Sequence, residues 1–344
     1  MDKREFLRVL GVGAAVAIAD PVRAWAQRGR ILGGDRTMNV PYAPGWSPEF
    51  RKFLGGVRVG EARAHGALLV FCLHGGVPAP YLPISTLEEA RSQSDLLITE
   101  RPQPTVPDLI VDNRGKTHVL LLAGEILVGG KQNRIVTEDI LLPPLSGPVS
   151  IGVYCVEQGR WAGASSSFSG QELMAARGLR EKVMEKADQR QVWAEVKKYA
   201  GRAGAASPTD NYQAIYDKAE VKRHQQKVER TIDHHVVAGA SGAAVFVGEK
   251  FSGIDLFQDP GLFAREWPKL LRAHAIETYG LPLPGKANEP RLRGRVEDLL
   301  GQAAKVDGSL RRNAGVGQLF EFRVEAFRGS ALVAEGQVVH AAIL

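Results

Sequence analysis

The residues best suited to chemistry fall in two polar clusters that flank two apolar runs. The first cluster contains Glu125 and the glycine-rich segment Gly129–Arg134, which carries a lysine, two carboxamides and an arginine. The second, Glu157–Trp161, contains a carboxylate, an arginine and a tryptophan. Polar loops that connect strands are common places for functional sites on a rigid scaffold. The pattern therefore predicts a candidate site in these two clusters.

The backbone and the positive charges of these clusters indicate recognition of an anion. Gly129 and Gly130 allow backbone amides to approach a ligand closely, because neither residue has a Cβ. Lys131, Arg134 and Arg160 place three cations beside those amides. Arginine in particular binds phosphate and carboxylate groups through two parallel hydrogen bonds. We therefore expect an anionic small molecule as the partner.

The remaining side chains suit orientation and proton transfer. Gln132 and Asn133 offer directed donors and acceptors, and Trp161 can stack on a planar group. Glu125 or Glu157 is the candidate general base of a hydrolytic reaction. The alternative interpretation is structural, with a polar turn in which these glutamates form salt bridges to the arginines. The functional interpretation predicts a concave pocket, whereas the structural one predicts paired charges and no cavity.

Antiparallel pairing is what would bring the two clusters together. The apolar runs Ile135–Leu142 and Val149–Val156 have the length of strands. The connection Pro143–Pro148 is short enough for an antiparallel return. Such a return places Arg134 and Glu157 at the same edge of the sheet. We expect Glu125 to join them there.

Other familiar signatures are incomplete. Gly124–Lys131 has the wrong spacing for a phosphate loop, and Gln132 stands where a serine or threonine is required. Gly239–Ala243 lacks the last glycine of a nucleophile elbow. Asp233–His235 with His224 does not have the i, i+4 histidine spacing of a helical metal site. No metal site is predicted, and the sequence identifies no cofactor.

The first 26 residues have the pattern of an export signal. A charged, basic start is followed by the short apolar run Val9–Ala19, and Ala24–Ala26 has the small-x-small pattern of a cleavage site. Lys3–Arg8 resembles a twin-arginine signal with lysine in place of the first arginine, which leaves the ordinary secretion route open. The alternative is an amphipathic helix that stays attached. We expect cleavage near Ala26 and a periplasmic protein.

Export makes a disulfide between Cys72 and Cys155 chemically allowed, because the periplasm is oxidising. Both residues lie in apolar, strand-like runs, so two buried free thiols are the alternative. Glu157 and Arg160 follow Cys155 closely, but the spacing indicates no histidine partner for a nucleophilic thiol. The sequence leaves pairing and burial both open.

Charge and composition limit the classes of partner. The net charge is +6 and the isoelectric point is about 9.3, but basic residues are scattered, not interleaved with aromatic ones. This arrangement does not predict a nucleic-acid interface. No apolar run after the signal is long enough to span a bilayer. No protein partner is identified from the sequence.

The elements predict one α+β domain with a mostly antiparallel sheet and helices grouped in the middle of the chain. Residues 27–49 are predicted as a linker or extended arm, and residues 50–344 as the domain. Strand-like runs lie at both ends of that domain. A long helix is predicted from Ser169 to about Tyr199, and another begins at Ser207. A helix starting at Asp259 is expected to kink at Pro268.

Two strings, Ala123–Arg134 and Val153–Trp161, resemble the ARG-and-Rhodanese-Phosphatase-superfamily-associated protein domain. Gln191–Trp193, Gly253–Phe257 and Trp267–Leu271 are also similar to it. The resemblance covers the chain from about residue 53 to the C-terminus. The bacterial family is described mainly as one of unknown function, and its name refers to neighbours such as ADP-ribosylglycohydrolases. This implies a link to ADP-ribose or NAD-derived nucleotides, without assigning a catalytic residue.

Two functional hypotheses follow. In the first, the exported domain binds an anionic nucleotide-like or sugar-phosphate molecule, with hydrolysis as an extension of that binding. In the second, it is a non-catalytic envelope protein that acts as a structural or protein-interaction module. Ligand binding at the two polar clusters distinguishes them.

Overall fold

The computed structural model describes residues 43–45, 47–75, 79–101, 107–160, 167–236, 239–282 and 287–344. The predicted export signal, most of the predicted arm and Trp161 lie outside these residues. The side chains of Asp233–His235 are also outside the description, although their backbone belongs to a helix.

The strands of the described residues are β1 (Ala43–Gly45), β2 (Val57–His65), β3 (Leu68–Gly75), β4 (Ile84–Ser85), β5 (Leu96–Thr99), β6 (Asp108–Asn113), β7 (His118–Leu121), β8 (Glu125–Gly129), β9 (Arg134–Val136), β10 (Ile140–Leu142), β11 (Gly147–Cys155), β12 (Phe168–Met174), β13 (Gly242–Val247), β14 (Lys250–Phe257), β15 (Gly308–Arg312), β16 (Gln318–Val324), β17 (Phe327–Ala334) and β18 (Gln337–Ile343). The helices are α1 (Pro48–Gly55), α2 (Leu87–Ser92), α3 (Arg177–Met184), α4 (Gln189–Ala203), α5 (Gln213–Asp217), α6 (Ala219–Val236), α7 (Pro260–Thr278) and α8 (Glu289–Ala303).

The predicted α+β class is confirmed. Neighbouring strands pair antiparallel, and among the described residues only the short β4–β7 pair is parallel. No helix in the described part of the chain combines the length and the apolar character needed to cross a membrane.

A nine-stranded sheet forms the larger half of the core, in the order β1-β15-β16-β17-β18-β14-β13-β3-β2. Alternating side chains of its central strands point to opposite faces, so each face needs its own cover. Apolar residues of α1 and α8 pack on one face. Those of α6 and α7 pack on the other, together with Leu120 and Leu122 from the smaller half of the molecule.

The smaller half contains a three-stranded sheet, in the order β10-β7-β4, and a six-stranded sheet that closes on itself, in the order β12-β8-β9-β11-β6-β5. An antiparallel bridge between Thr99 and Ser167 joins the end of β5 to the start of β12. We call this closed sheet the barrel. Its interior is filled by apolar side chains, among them Ile98, Val111 and Ile151, each fully buried. A small barrel of this size is a packed core and not a channel.

The long helix predicted from Ser169 to Tyr199 is wrong. Residues 168–174 pair with β8 as strand β12, with an irregularity between Gly170 and Met174. Glu172 has a φ of 53°, so the predicted capping box is not formed. Two separate helices follow, α3 and α4, and Asp188 caps the second with Gln191 in a capping box. Pairing with the edge of β8 stabilises residues 168–174 as a strand, and this long-range contact overrides the local helix-capping pattern.

Other boundaries differ in smaller ways. β1 and the first two residues of α1 fall within the segment predicted as an arm, residues 27–49. The helix predicted from Ser207 begins later, because residues 207–211 form turns before α5. Helix α7 continues through Pro268 to Thr278. Strand β15 was not predicted.

Candidate functional site

One end of the barrel collects most of the predicted site residues. β5, β8 and β11 run toward this end, and β6, β9 and β12 start from it, as the strand registers show. The chain therefore places Glu100, Gly129–Arg134 and Cys155–Arg160 around the same opening. We call these residues the barrel mouth. The expected meeting of the glycine-rich segment with Glu157 and Arg160 is what the structure shows.

Glu157 is held by three donors at the mouth. Its Oε2 accepts from the Asn133 amide at 3.1 Å and lies 2.8 Å from Arg160 Nη2. Its Oε1 accepts from Thr209 Oγ1 at 2.7 Å. Burial by itself would raise the pKa of Glu157, but the hydrogen bonds from Arg160, Thr209 and Asn133 outweigh it and leave that pKa below its ordinary value. A carboxylate so stabilised is a structural anchor and a weak base.

Arg160 spans the mouth from one polar cluster to the other. Its Nη1 donates to the Gly130 carbonyl at 2.7 Å, and its Nη2 donates to Asn133 Oδ1 at 3.2 Å and to the Gly129 carbonyl at 3.3 Å. The side chain remains 29% exposed. The guanidinium is therefore fixed by protein acceptors and still has an edge in contact with solvent.

The amides of the glycine-rich segment are used within the protein. The Gly129 amide donates to Asn133 Oδ1 at 3.0 Å, and the Lys131 amide donates to Glu100 Oε1 at 2.9 Å. The Gly130 amide donates to the Ser167 carbonyl. The expectation that these amides bind a ligand directly is therefore not met by this arrangement. The glycines are required instead by packing and by their positive φ.

Arg134 is a buried cation at the mouth whose hydrogen-bond donors are only partly paired. Its side chain is 6% exposed, and Nη1 donates to the backbone carbonyl and the Oε1 of Gln132. Its Nη2 lies 3.9 Å from Glu100 Oε1, beyond hydrogen-bond distance. Its Nε is buried without a partner among the described residues. Burial accordingly lowers the pKa of Arg134, although Cys155 and Glu100 oppose the change.

Cys155 on β11 is the cross-strand partner of this arginine on β9. Its thiol donates to Gln132 Oε1 at 3.1 Å, and its backbone amide and carbonyl are both bonded by the Gln189 side chain. Burial raises the pKa of Cys155, with the positive charge of Arg134 opposing the change. The thiol is therefore protonated at neutral pH and shielded from solvent. This environment is typical of an inert structural cysteine.

The two cysteines are buried and are not bonded to each other, so the disulfide left open by the sequence is not formed. Cys72 lies on β3 in the nine-stranded sheet, whereas Cys155 lies on β11 in the barrel. Burial also raises the pKa of Cys72.

Glu125 does not belong to the mouth, which corrects the predicted site. It begins β8, whereas Gly129 ends that strand, so the two lie roughly 13 Å apart along the strand axis. Its carboxylate is fully buried against Lys269 of α7 and accepts from the Leu122 amide at 2.9 Å. Glu125 is close to the glycine-rich segment in sequence, but the extended strand β8 separates the two in space.

Several polar neighbours of the site were not predicted. Asn211 and Gln213 accept from Asn133 Nδ2 at 3.0 and 3.1 Å, and Thr209 bonds Glu157. They come from the segment that leads into α5 and from the first residue of that helix, about 50 to 80 residues farther along the chain. Lys131 is exposed, and no partner of its ammonium group is found in the described residues. No local signal links these positions to the mouth.

Two surface cavities of the described residues lie away from the mouth. One of about 500 Å³ is lined by Phe246, Arg291 and Phe327 on the α8 side of the large sheet. Another of about 390 Å³ is lined by Tyr81, Pro260 and Val339. Neither includes a residue of the barrel mouth.

The buried centre of the molecule holds a second set of charges that the sequence did not indicate. His340 Nδ1 lies 2.7 Å from Asp139 Oδ2, and its Nε2 lies 3.2 Å from Asp255 Oδ1. Arg180 forms two hydrogen bonds to Asp255, at 2.6 and 3.0 Å. Despite burial, the two aspartates raise the pKa of His340 to about 9. The four groups carry balanced charge and connect the nine-stranded sheet to the segment before β10 and to helix α3.

Comparison with known proteins identifies the family of this chain. No curated protein and no solved structure matches it significantly. A comparison with protein families matches residues 56–344, which is most of the chain and includes both the barrel and the large sheet. The chain thus belongs to the ARG and Rhodanese-Phosphatase-superfamily-associated Protein domain family.

Proposed function

We propose that this protein binds an anionic small molecule at the barrel mouth, with Arg134 as the buried anchor and Arg160 and Lys131 at the rim. The ligand class that we propose is nucleotide-like or sugar-phosphate, such as a derivative of ADP-ribose or NAD. The ends of β-barrels are common locations for small-molecule sites. The phosphates of such ligands match the geometry of a guanidinium group.

The observation that supports this proposal is the incomplete pairing of Arg134. A guanidinium carries five N–H donors, and a buried one is normally paired with acceptors. In the described residues Arg134 has hydrogen bonds from Nη1 alone, and its nearest carboxylate oxygen is 3.9 Å away. An anionic ligand would supply the missing acceptors. It would also offset the cost of burying the charge.

The charge of the whole mouth points the same way. Lys131, Arg134 and Arg160 contribute three positive charges, whereas Glu100 and Glu157 contribute two negative ones. The mouth therefore has a surplus of one positive charge. Of the three cations, Lys131 and Arg160 are in contact with solvent and can meet a ligand as it arrives. Attraction of this kind increases the rate of association.

We propose binding and not hydrolysis. Glu157 is committed to three donors, and Glu125 is buried at the far end of β8. Neither glutamate is within reach of a ligand at Arg134 in a form suited to accept a proton. The carboxylates of the described residues hold the mouth in shape.

The proposal is tested by thermal-shift and calorimetric titration of the protein with ADP-ribose, NAD, AMP and ribose 5-phosphate, with uncharged ribose as the control ligand. A ligand at 100 times its Kd stabilises the native state by about 2.7 kcal/mol. Arg134→Lys keeps the charge but loses the planar fork, so we expect binding to weaken by about tenfold or more. Lys131→Ala is expected to weaken it by a smaller factor.

Lys116→Ala is the matched control, because Lys116 is exposed and follows β6 at the opposite end of the barrel. It should leave binding unchanged. If Arg134→Lys fails to fold, Lys131→Glu provides the same comparison on an exposed side chain. Equal binding by wild type and both mouth variants, or no binding of any phosphate, would reject the proposal.

A second candidate function is a non-catalytic structural or protein-interaction module. It is favoured by the amides of Gly129, Gly130 and Lys131, which are all occupied by protein acceptors, and by Arg160, which joins both polar clusters. These contacts brace the mouth without a ligand. Absence of ligand binding in the titrations would support this candidate.

A further inference from the structure

Four charged side chains meet in the core where helix α7 crosses the start of β8. Lys269 Nζ lies 2.7 Å from Glu266 Oε2 and 2.9 Å from Glu88 Oε2, and it also contacts Glu125 Oε1. Glu125 and Glu266 are fully buried, Lys269 is 3% exposed and Glu88 is 21% exposed. We call these four residues the carboxyl–lysine cluster. It joins α2, β8 and α7.

The charges of this cluster do not balance. Three carboxylates and one ammonium would carry a net charge of −2 if all were ionised. The other buried cations nearby, His340 and Arg180, are already matched by Asp139 and Asp255. An uncompensated charge in the core is strongly unfavourable, so buried groups change their protonation state instead.

The groups that face the cluster from adjoining elements do not remove this imbalance. His340 on β18 is close enough to Glu266 to favour the charged form of that carboxyl. Its own positive charge is, however, paired with Asp139 and Asp255. Glu89 on α2 pairs with Arg265 of α7 outside the cluster. Beyond Lys269, no further cation contacts the three glutamates among the described residues.

The position of Lys269 also decides which cation the cluster contains. One carboxylate oxygen from each glutamate lies within 4.8 Å of the other two, a spacing that suits a metal ion. The ammonium of Lys269 contacts all three of these glutamates and so takes the place that an ion would occupy. Glu266 Oε1 nevertheless stays buried with no hydrogen-bond partner in the described residues. A proton on this carboxyl or on its neighbour is the simplest way to satisfy it.

We propose that the carboxyl–lysine cluster is a proton-binding site: at neutral pH the native protein holds a proton on the Glu125–Glu266 pair, and it releases that proton in mild alkali. The protonated carboxyl donates within the cluster, which lowers its net charge from −2 to −1. Because α7 and β8 belong to different halves of the molecule, release of the proton weakens their contact. The proposal is independent of ligand binding at the barrel mouth.

The electrostatics of the pair agree with this arrangement. Burial raises the pKa of Glu125 to about 8, although Lys269 opposes the change, and burial also raises the pKa of Glu266. An unfolded glutamate has a pKa near 4.5. Between these two values the native state holds a proton that the unfolded state has lost. The stabilisation from this proton is therefore largest at acidic pH and is lost as the pH rises toward about 8.

The test is urea unfolding of the full protein from about pH 5 to about pH 8, for wild type and for Glu125→Gln. A glutamine resembles the protonated carboxyl and does not titrate. One extra native-state proton makes the unfolding constant rise by about tenfold per pH unit. We expect the wild type to show this additional rise relative to Glu125→Gln. Glu61→Gln, at an exposed glutamate of β2, is the control and should keep the wild-type slope.

Two further measurements keep the test decisive. Glu266→Gln is used in the same titration, because the proton is shared by the pair and either substitution should flatten the slope. Infrared spectroscopy near neutral pH should show a protonated carboxyl band in the wild type that is weakened in these variants. If wild type and both variants have the same slope and no such band is seen, the proposal is wrong. If both variants fail to fold, the wild-type band alone decides.

Discussion

Arg180 and Arg295 each form a two-pronged contact with a carboxylate, one in the core and one at the surface. Arg180 bonds Asp255 with both side chains less than 5% exposed. Arg295 bonds Glu325 with its side chain 37% exposed and that of its partner 31%. The geometry of the two pairs is alike, so the difference between them is burial. Water competes for the surface pair and screens it.

We predict that Arg180→Met lowers the free energy of unfolding by about 3–5 kcal/mol, because it leaves Asp255 buried with His340 as its remaining cation. Arg295→Met is the matched control and should cost about 0–1 kcal/mol. Urea denaturation at neutral pH measures both. Equal losses of unfolding free energy for the two variants would contradict a stabilising effect of burial on the Arg180–Asp255 pair.

At the scale of elements, the turn between β8 and β9 depends on the packing of β12. Gly130 has a φ of 53°, and a Cβ at this position would collide with the Phe168 ring and approach Glu100. Gly147, at the start of β11, has a similar φ of 64° but has open space around it. Replacing each of these two glycines with alanine therefore distinguishes the cost of backbone strain, present at both positions, from that of steric overlap, present only at Gly130.

Gly147→Ala should cost about 1 kcal/mol from the left-handed backbone alone. Gly130→Ala should cost a further ~1–3 kcal/mol, because Phe168 must move to accommodate the methyl group. It should also reduce any phosphate binding at the barrel mouth. The midpoint of thermal or urea unfolding gives both stabilities. Similar values for the two variants would contradict the proposed role of Phe168 in the turn.

At the scale of the molecule, buried charges join the large sheet to the smaller half. His340 and Asp255 belong to strands β18 and β14 of the large sheet, whereas Asp139 lies just before β10 beside the barrel. Arg180 comes from α3, which covers the outside of the barrel. Apolar contacts are non-directional, so a hydrogen-bonded network of this kind is suited to fixing the relative position of the two halves.

We further propose that the chain is exported to the periplasm and that the mature protein starts near Gln27. The basic start, the short apolar run Val9–Ala19 and the pattern Ala24–Ala26 motivate this prediction. N-terminal sequencing of protein from the native compartment is the measurement. A periplasmic fraction that starts near Gln27 is expected, and an intact Met1 on cytoplasmic protein would contradict export.

Local sequence patterns determined the elements whose signals are contained within a few neighbouring residues. The hairpin of β13 and β14 follows from two β-rich runs separated by a glycine turn. Helix α7 begins at the predicted Asp259 cap, which accepts from the amides of Gly261 and Leu262. The antiparallel pairing that places Arg134 near Glu157 was also predicted, and β9 and β11 form it. The predicted strand Ile135–Leu142 is nevertheless divided, because its second part, β10, pairs with β7 in a different sheet.

Only the tertiary structure decided the features that depend on partners far apart in the chain. Residues 168–174 carry a helix-capping pattern, yet they form β12 because β8 offers an unpaired edge. Glu125 is a carboxylate of the kind that serves in catalytic sites, but strand β8 directs it toward Lys269, 144 residues away. Charge pairing and strand pairing between such distant residues have no signature in a local window. The closed barrel, and with it the surroundings of Arg134, exist only when these long-range pairings are made.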